Sequence, residues 1–318
     1  MDTKILITGA SPDIINHNSV MRNYVTEGFC ALLSSDNVRN VPLQFSVSAL
    51  KRNSVDIVLV FGSCMPDNCD YGALRAECNR SGAKLVFWLH DDPYEQDFNF
   101  KIIKYADVIF SNDKWATQFY DHPHCYHLPM AASKSAHFRS VTQDWKVDLF
   151  FCGVGFENRI RLLRDLKPLL NEIKTKVVGD AWPKDLAFAN NQRINNAELP
   201  NHINNSKFIL NLGRHYNLGN DRYKLDPSTP GPRTFETAMA GATQLYFVES
   251  LEIEEYYEPD KEILLFDGYK DLSRIFEMYL DEPLAISKIS KAAQERTLSE
   301  HTYMHRAEKI LSTLYSLS

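Results

Sequence analysis

Ile57-Val-Leu-Val-Phe61 is an unbroken apolar run within the candidate strand Asp56–Phe61. A strand with one wet face alternates apolar and polar residues. A run without a polar face needs cover on both sides, as the inner strands of a parallel α/β sheet have. Working outward, short β-rich runs recur at Lys4–Thr8, Leu43–Val47, Lys84–Leu89, Asp107–Phe110 and Cys125–Leu128. Helical stretches fall between them at Ser19–Leu33, Tyr71–Arg80, Phe98–Tyr105 and Lys114–Tyr120. This alternation is the βαβ signature of a doubly wound domain.

A polar stretch near Ala132–Trp145 interrupts the pattern, which then resumes. The later strands are Val147–Cys152, Lys176–Gly179, Phe208–Leu212, Gln244–Phe247 and Ile263–Phe266. The later helices are Glu157–Asn171, His202–Asn205, Arg233–Ala240 and a helical run from Asp271 onward. A chain of 318 residues exceeds what one core usually supports. The expected fold is therefore α/β, with two Rossmann-like doubly wound domains facing across a cleft. The expected boundaries are 1–135, a linker at 136–146, 147–300, and a C-terminal helix at 301–318 that can pack back on the first domain.

Composition narrows the function class. The residues are 44% hydrophobic and 24% charged, ordinary for a globular protein. A formal charge of −6 argues against a broad nucleic-acid-binding surface, though not against a local basic pocket. No apolar run reaches membrane-spanning length, and no signal-peptide pattern precedes Lys4-Ile-Leu-Ile-Thr8. Six cysteines (30, 64, 69, 78, 125 and 152) are too sparse for a disulfide framework, and no Cys/His pair completes a zinc site. These features point to a reducing cytoplasm.

Ile5-Leu-Ile-Thr-Gly-Ala-Ser11 looks like the start of a dinucleotide-binding dehydrogenase. That chemistry needs further glycines, yet Pro12-Asp-Ile-Ile-Asn-His17 has none. The one Tyr-x-x-x-Lys match, Tyr257 to Lys261, contains Pro259. The dehydrogenase reading fails on both counts.

The chemistry concentrates in Gly231-Pro-Arg-Thr-Phe-Glu-Thr-Ala-Met-Ala-Gly241, followed by the strand Ala242–Phe247. Gly231-Pro232 breaks the chain and a helix begins near Arg233 or Thr234. The free N–H groups and dipole of such a start favour an anion, and Arg233 adds a planar cation suited to phosphate. Glu236, in the first turn, can accept from ribose hydroxyls; complementing the helix dipole is its plainer alternative.

The run Arg-Thr-Phe-Glu-x-Ala-x-Ala-Gly, then a strand, Tyr256-Tyr-Glu-Pro259 and Glu262–Asp267, resembles the spore-maturation CgeB-like glycosyltransferases. It is also similar to the donor-binding half of glycosyltransferase family 4. Ala292-Ala-Gln-Glu-Arg296, Glu300-His-Thr-Tyr303 and His305-Arg306-Ala307 are similar to that group's closing helices. The resemblance implies a GT-B fold and a nucleotide-diphosphate-sugar co-substrate held by the C-terminal domain, with no required metal or other cofactor. It implies a diphosphate site at Arg233, Thr234 and Phe235, with Glu236 on the ribose. The first glutamate of the family 4 pair would fall at Ser228, so that half of the motif is absent. Gly153-Val-Gly155 with Arg159 is a second expected diphosphate element, against an ordinary strand-to-helix turn. Trp182 is expected at the nucleobase, against simple packing. Arg214 is a further phosphate candidate, and Asp226-Pro-Ser-Thr-Pro230 reads as a loop over the donor.

Phe87-Trp-Leu-His-Asp-Asp-Pro93 ends a buried strand at the carboxyl edge, where doubly wound folds bind ligands. His90 or Asp91 is the expected catalytic base or sugar-contacting group, and Asp92 a turn former. His17 and Asn18 are acceptor-pocket candidates. His122, His124 and His127 have no carboxylate partner in sequence and are read as structural. The expected reaction is metal-independent sugar transfer to an acceptor hydroxyl on a glycan, protein or small molecule. The alternatives are a nucleotide-sugar epimerase or hydrolase on the same fold, and a non-catalytic nucleotide-sugar binder.

Overall fold

The structure is a computed structural model that describes residues 3–9, 18–62 and 69–317. Its contacts divide the chain into two units. The first comprises residues 1–130, 217–229 and 302–318, and the second 131–216 and 230–301.

In the first unit, β1 (Ile5–Gly9), α1 (Asn18–Cys30), β2 (Val38–Asn40), α2 (Ser46–Arg52), β3 (Ile57–Gly62) and α3 (Tyr71–Ser81) follow in order. Then come β4 (Lys84–Leu89), α4 (Phe100–Ile103), β5 (Val108–Ser111) and β6 (Cys125–His127). All pair in parallel, in the order β2-β1-β3-β4-β5-β6. Every residue of β3 is buried, as its unbroken apolar run requires. The order reverses between β1 and β3, one strand away from β4 and its terminal His90. His90 therefore follows the carboxyl end of a strand, as expected, but one strand away from the switch point.

The second unit contains α5 (Lys134–His137), β7 (Val147–Cys152), α6 (Glu157–Asp165), α7 (Lys167–Leu170), β8 (Thr175–Val178) and β9 (Ala189–Asn190). It continues with α8 (Leu199–Asn204), β10 (Ser206–Asn211), α9 (Pro232–Met239), β11 (Thr243–Phe247) and β12 (Leu264–Phe266). Helices α10 (Tyr269–Tyr279) and α11 (Pro283–Glu300) complete it. The sheet is again parallel, ordered β12-β11-β10-β7-β8-β9. Here the switch point lies between β7 and β10, so their carboxyl ends open the crevice where open α/β sheets take ligands.

Helix α12 (Tyr303–Ser316) belongs to the first unit and packs on α1. Gly28 permits this: a Cβ there would overlap the Tyr303 carbonyl. Arg306, buried, fixes the helix by donating from Nε to the Pro129 carbonyl at 2.9 Å and from Nη2 to the Met130 carbonyl at 3.0 Å.

Three expectations change. Residues 136–146 are part of the second unit: Ser133 caps α5, His137 is buried, and Gln294 holds the Arg139 carbonyl at 2.7 Å. Residues 217–229, expected in the second domain, fold onto the first. Leu43–Val47 is a 3-10 turn leading into α2, and the edge strand is β2 instead.

Candidate functional site

The β7 exit runs through Gly153-Val-Gly155 into α6, and the β10 exit through Leu212-Gly-Arg-His215. Arg159 joins them. Its Nε donates to the Gly213 carbonyl at 2.8 Å, Nη2 to Leu212 at 2.9 Å and Nη1 to Val154 at 3.0 Å. Asn158 adds a bond from its amide to the Gly213 carbonyl. The expected phosphate ligand Arg159 is thus a clamp on main-chain carbonyls. Strand ends leave such carbonyls unpaired, and a planar fork satisfies several at once.

The glycine turn is corrected in the same way. The Gly153 N–H donates to the Val178 carbonyl at 2.9 Å and the Gly155 N–H to Asp180 at 2.8 Å. Both amides are engaged within the fold rather than cradling phosphate. The glycines are needed for close approach: a Cβ on Gly155 would stand 2.7 Å from the Ala181 carbonyl. Trp182, expected to stack on a nucleobase, is only 4% exposed. Its Nε1–H donates to the Gly153 carbonyl at 3.0 Å and its ring meets Phe151 edge-on. It supports the turn from beneath.

Helix α9 starts at Gly231-Pro232 with no side-chain cap. Thr234 is buried, and its hydroxyl accepts from the Asn211 amide at 2.9 Å. Phe235 is fully buried against Tyr256, Tyr257 and His301. The side chains of Thr234 and Phe235 therefore belong to the interior, the first against β10 and the second against Tyr256, Tyr257 and His301. Arg233 stays half-exposed, and Glu236, though buried, pairs with it. Arg233 Nη1 lies 2.8 Å from Glu236 Oε2, and the Glu236 Oε1 faces His137 Nε2 at 3.9 Å. His137 Nδ1 accepts the Ser133 N–H at 3.1 Å, which leaves the ring proton on Nε2, toward Glu236. His137 was invisible in the sequence because it sat in a stretch read as linker.

Arg214 is half-buried beside His215, whose Nε2 stands 3.3 Å from Glu249 Oε1. Cys152, at the β7 end, lies in the field of Arg233, Glu236 and Arg159 together, while burial pushes its thiol pKa up. The α9 start and the Arg159 clamp therefore flank one strand end.

In the first unit, His90 is buried, edge-on to Phe61 at 5.3 Å, with Nδ1 3.8 Å from Asp91 Oδ2. Asp92 is buried and accepts from the Ser111 hydroxyl at 2.6 Å, the Tyr120 hydroxyl at 2.7 Å and the Asn99 amide at 2.9 Å. Burial pushes its pKa up to about 6. Ser228, where the resemblance would place a glutamate, is buried against Asp113. The Asp113 carboxylate accepts the Ser228 N–H at 2.7 Å, the Thr229 N–H at 3.1 Å and the Ala116 N–H at 2.9 Å. The expected donor loop Asp226–Pro230 is, up to Thr229, tied to the first unit. His17 lies outside the described residues; Asn18 begins α1, and its side chain is likewise outside them.

Residues 159–312 match the family described as glycosyl transferase-like. The chain is 21% identical over 249 residues to the spore protein CgeB of Bacillus subtilis (strain 168), covering 74% of this chain and 76% of that protein. Anabaena HepE, in a complex with UDP and glucose, superposes with a TM-score of 0.64 at 11% identity, over 99% of this chain and 100% of its own. A Listeria monocytogenes protein described as a candidate UDP-N-acetylglucosamine 2-epimerase has a TM-score of 0.60 at 10% identity, over 98% and 96% of the two chains. At such identities the likeness speaks for fold alone. The chain shares the GT-B fold of two Rossmann-like units and resembles the CgeB-like glycosyltransferases in sequence.

Proposed function

We propose that this protein transfers a sugar from a nucleotide-diphosphate-sugar to an acceptor hydroxyl. The observation that carries the reading is the Arg233–Glu236 pair on the uncapped start of α9, at the carboxyl edge of the second sheet. The helix dipole and the guanidinium there favour a diphosphate, and Glu236 has the acceptor oxygens a ribose diol needs. UDP and glucose in the HepE complex support the same donor class. Arg233, with Arg214, stabilises charge on the departing diphosphate, so no metal is required in this reading. His90 and Asp91 are the proposed acceptor-side groups of the first unit. Six cysteines in 318 residues are too sparse for a disulfide framework, in keeping with a reducing cytoplasm as the place of work.

The test is a thermal-shift and calorimetric screen of nucleoside diphosphates, repeated on Arg233→Ala and Glu236→Ala. Binding by the parent and its loss in both variants supports the proposal; equal binding by all three would sink it. Incubating the donor with and without candidate acceptors then separates transfer from the rivals. Product formed without any acceptor favours an epimerase or hydrolase. EDTA should leave transfer unchanged.

A further inference from the structure

The Arg159 clamp is also the centre of a stack. Its guanidinium carbon lies over the Phe151 ring at 5.3 Å and over the Phe156 ring at 5.2 Å. Beyond Phe156, Tyr216 stacks nearly parallel, with ring centroids 5.2 Å apart and planes 11° from each other. Phe151, Arg159, Phe156 and Tyr216 thus form a chain of flat groups, each in contact with the next, that starts at the buried end of β7. Phe151 is 4% exposed and Tyr216 is 50% exposed. The three carbonyl bonds of Arg159 fix the middle of the stack, so the outermost ring is carried on a rigid base.

We propose that the open side of the Tyr216 ring is the docking face for the nucleobase of the donor, the role that buried Trp182 does not fill. The inference rests on the donor reading given above and adds to it the group that holds the base. A planar heterocycle continues a stack of planar groups with little ordering cost, because the platform is already fixed. The second observation is position. The stack grows from the switch point between β7 and β10, and Arg159 shares the Cys152 environment with Arg233 and Glu236. A nucleotide with its diphosphate at α9 and its base at Tyr216 would have both ends served by one sheet edge. The His215–Glu249 pair, next to Tyr216 in the chain, offers polar atoms for the rim of the base.

The test uses the full chain, with UDP, ADP and GDP as probes and inorganic pyrophosphate as the base-free control. Tyr216→Ala should weaken binding of the preferred nucleoside diphosphate about tenfold or more, as loss of one base–aromatic stack does. It should leave pyrophosphate affinity within about twofold. Tyr216→Phe should bind as the parent does, and Arg233→Ala should weaken nucleotide and pyrophosphate alike. Nucleotide affinity unchanged in Tyr216→Ala overturns the platform while leaving the donor site standing. Equal loss of nucleotide and pyrophosphate in Tyr216→Ala overturns it too, since the ring would then act on the diphosphate. A parent chain that binds none of the nucleotides overturns the donor reading and the platform together.

Discussion

Arg233 Nη1 and Glu236 Oε2 stand 2.8 Å apart across one turn of α9, with the carboxylate side chain 11% exposed and the guanidinium 34%. Each holds the other in place before any ligand arrives. Arg233→Lys keeps the charge but loses the planar fork. Calorimetry should show nucleoside diphosphate affinity falling about fivefold to fiftyfold, between the parent and Arg233→Ala. A lysine variant indistinguishable from the parent would reduce Arg233 to a bare point charge.

Arg159 is a structural group, so its loss should appear in stability first. Arg159→Ala strands the carbonyl of Leu212, leaves that of Gly213 to Asn158 alone, and removes the guanidinium contacts to the Phe151 and Phe156 rings. Urea denaturation should show a loss of about 2–4 kcal/mol. A variant of parental stability with nucleotide binding abolished would restore Arg159 to the phosphate site.

Asp113 anchors residues 217–229 to the first unit at one end, through Ser228 and Thr229. Asp97 anchors the other, accepting the Asp221 N–H at 2.6 Å. Asp113→Ala leaves two buried N–H groups and one half-buried one without that acceptor, a cost of about 2–4 kcal/mol. Hydrogen exchange should then quicken across 217–229 more than in β3 or β4. Uniform quickening throughout the first unit would mean global rather than local release.

Buried Asp92 and half-buried His127 of the first unit oppose each other in acid. Burial pushes Asp92 up to about 6 and His127 down to about 4. Folded Asp92 keeps a proton that the unfolded chain has released, so its contribution grows as pH falls from about 6 toward 4. Folded His127 refuses a proton that the unfolded chain accepts. Its contribution, fully present above about 6.5, is lost as pH falls toward 4. Each amounts to about 3 kcal/mol at full extent, with opposite sign. His127→Gln removes only the second. Between pH 6.5 and 4 its stability relative to the parent should therefore rise by about 3 kcal/mol in urea titrations. A difference that does not move with pH would show that His127 is not held neutral.

The inner strands were legible because burial on both faces writes itself as continuous apolar sequence, as in Ile57–Phe61 and Leu85–Leu89. Edge strand β2, three residues with no buried side chain, carries no such signature, and Leu43–Val47 took its place in the reading. Lys114–Tyr120 has helical composition but forms only a 3-10 turn at Ala116–Phe119. Of the site, Arg233 and Glu236 were readable from the Gly-Pro helix start. Arg159, Trp182 and Thr234 were expected to meet the donor, and in the structure their polar groups bond to the protein itself. A guanidinium, an indole or a hydroxyl bonds whatever the fold brings to it, and here that was the protein's own backbone or a buried amide.

By itself the sequence determined the two parallel sheets, the helix start at Gly231-Pro232 and the charges placed there, because apolar periodicity and chain-breaking residues act locally. Tertiary structure alone decided which polar groups are left for a ligand, that residues 217–229 fold with the first unit, and that Phe151, Arg159, Phe156 and Tyr216 form one stack. Those outcomes depend on contacts between residues far apart in the chain, and no local pattern encodes which partner a hydrogen-bonding group will meet.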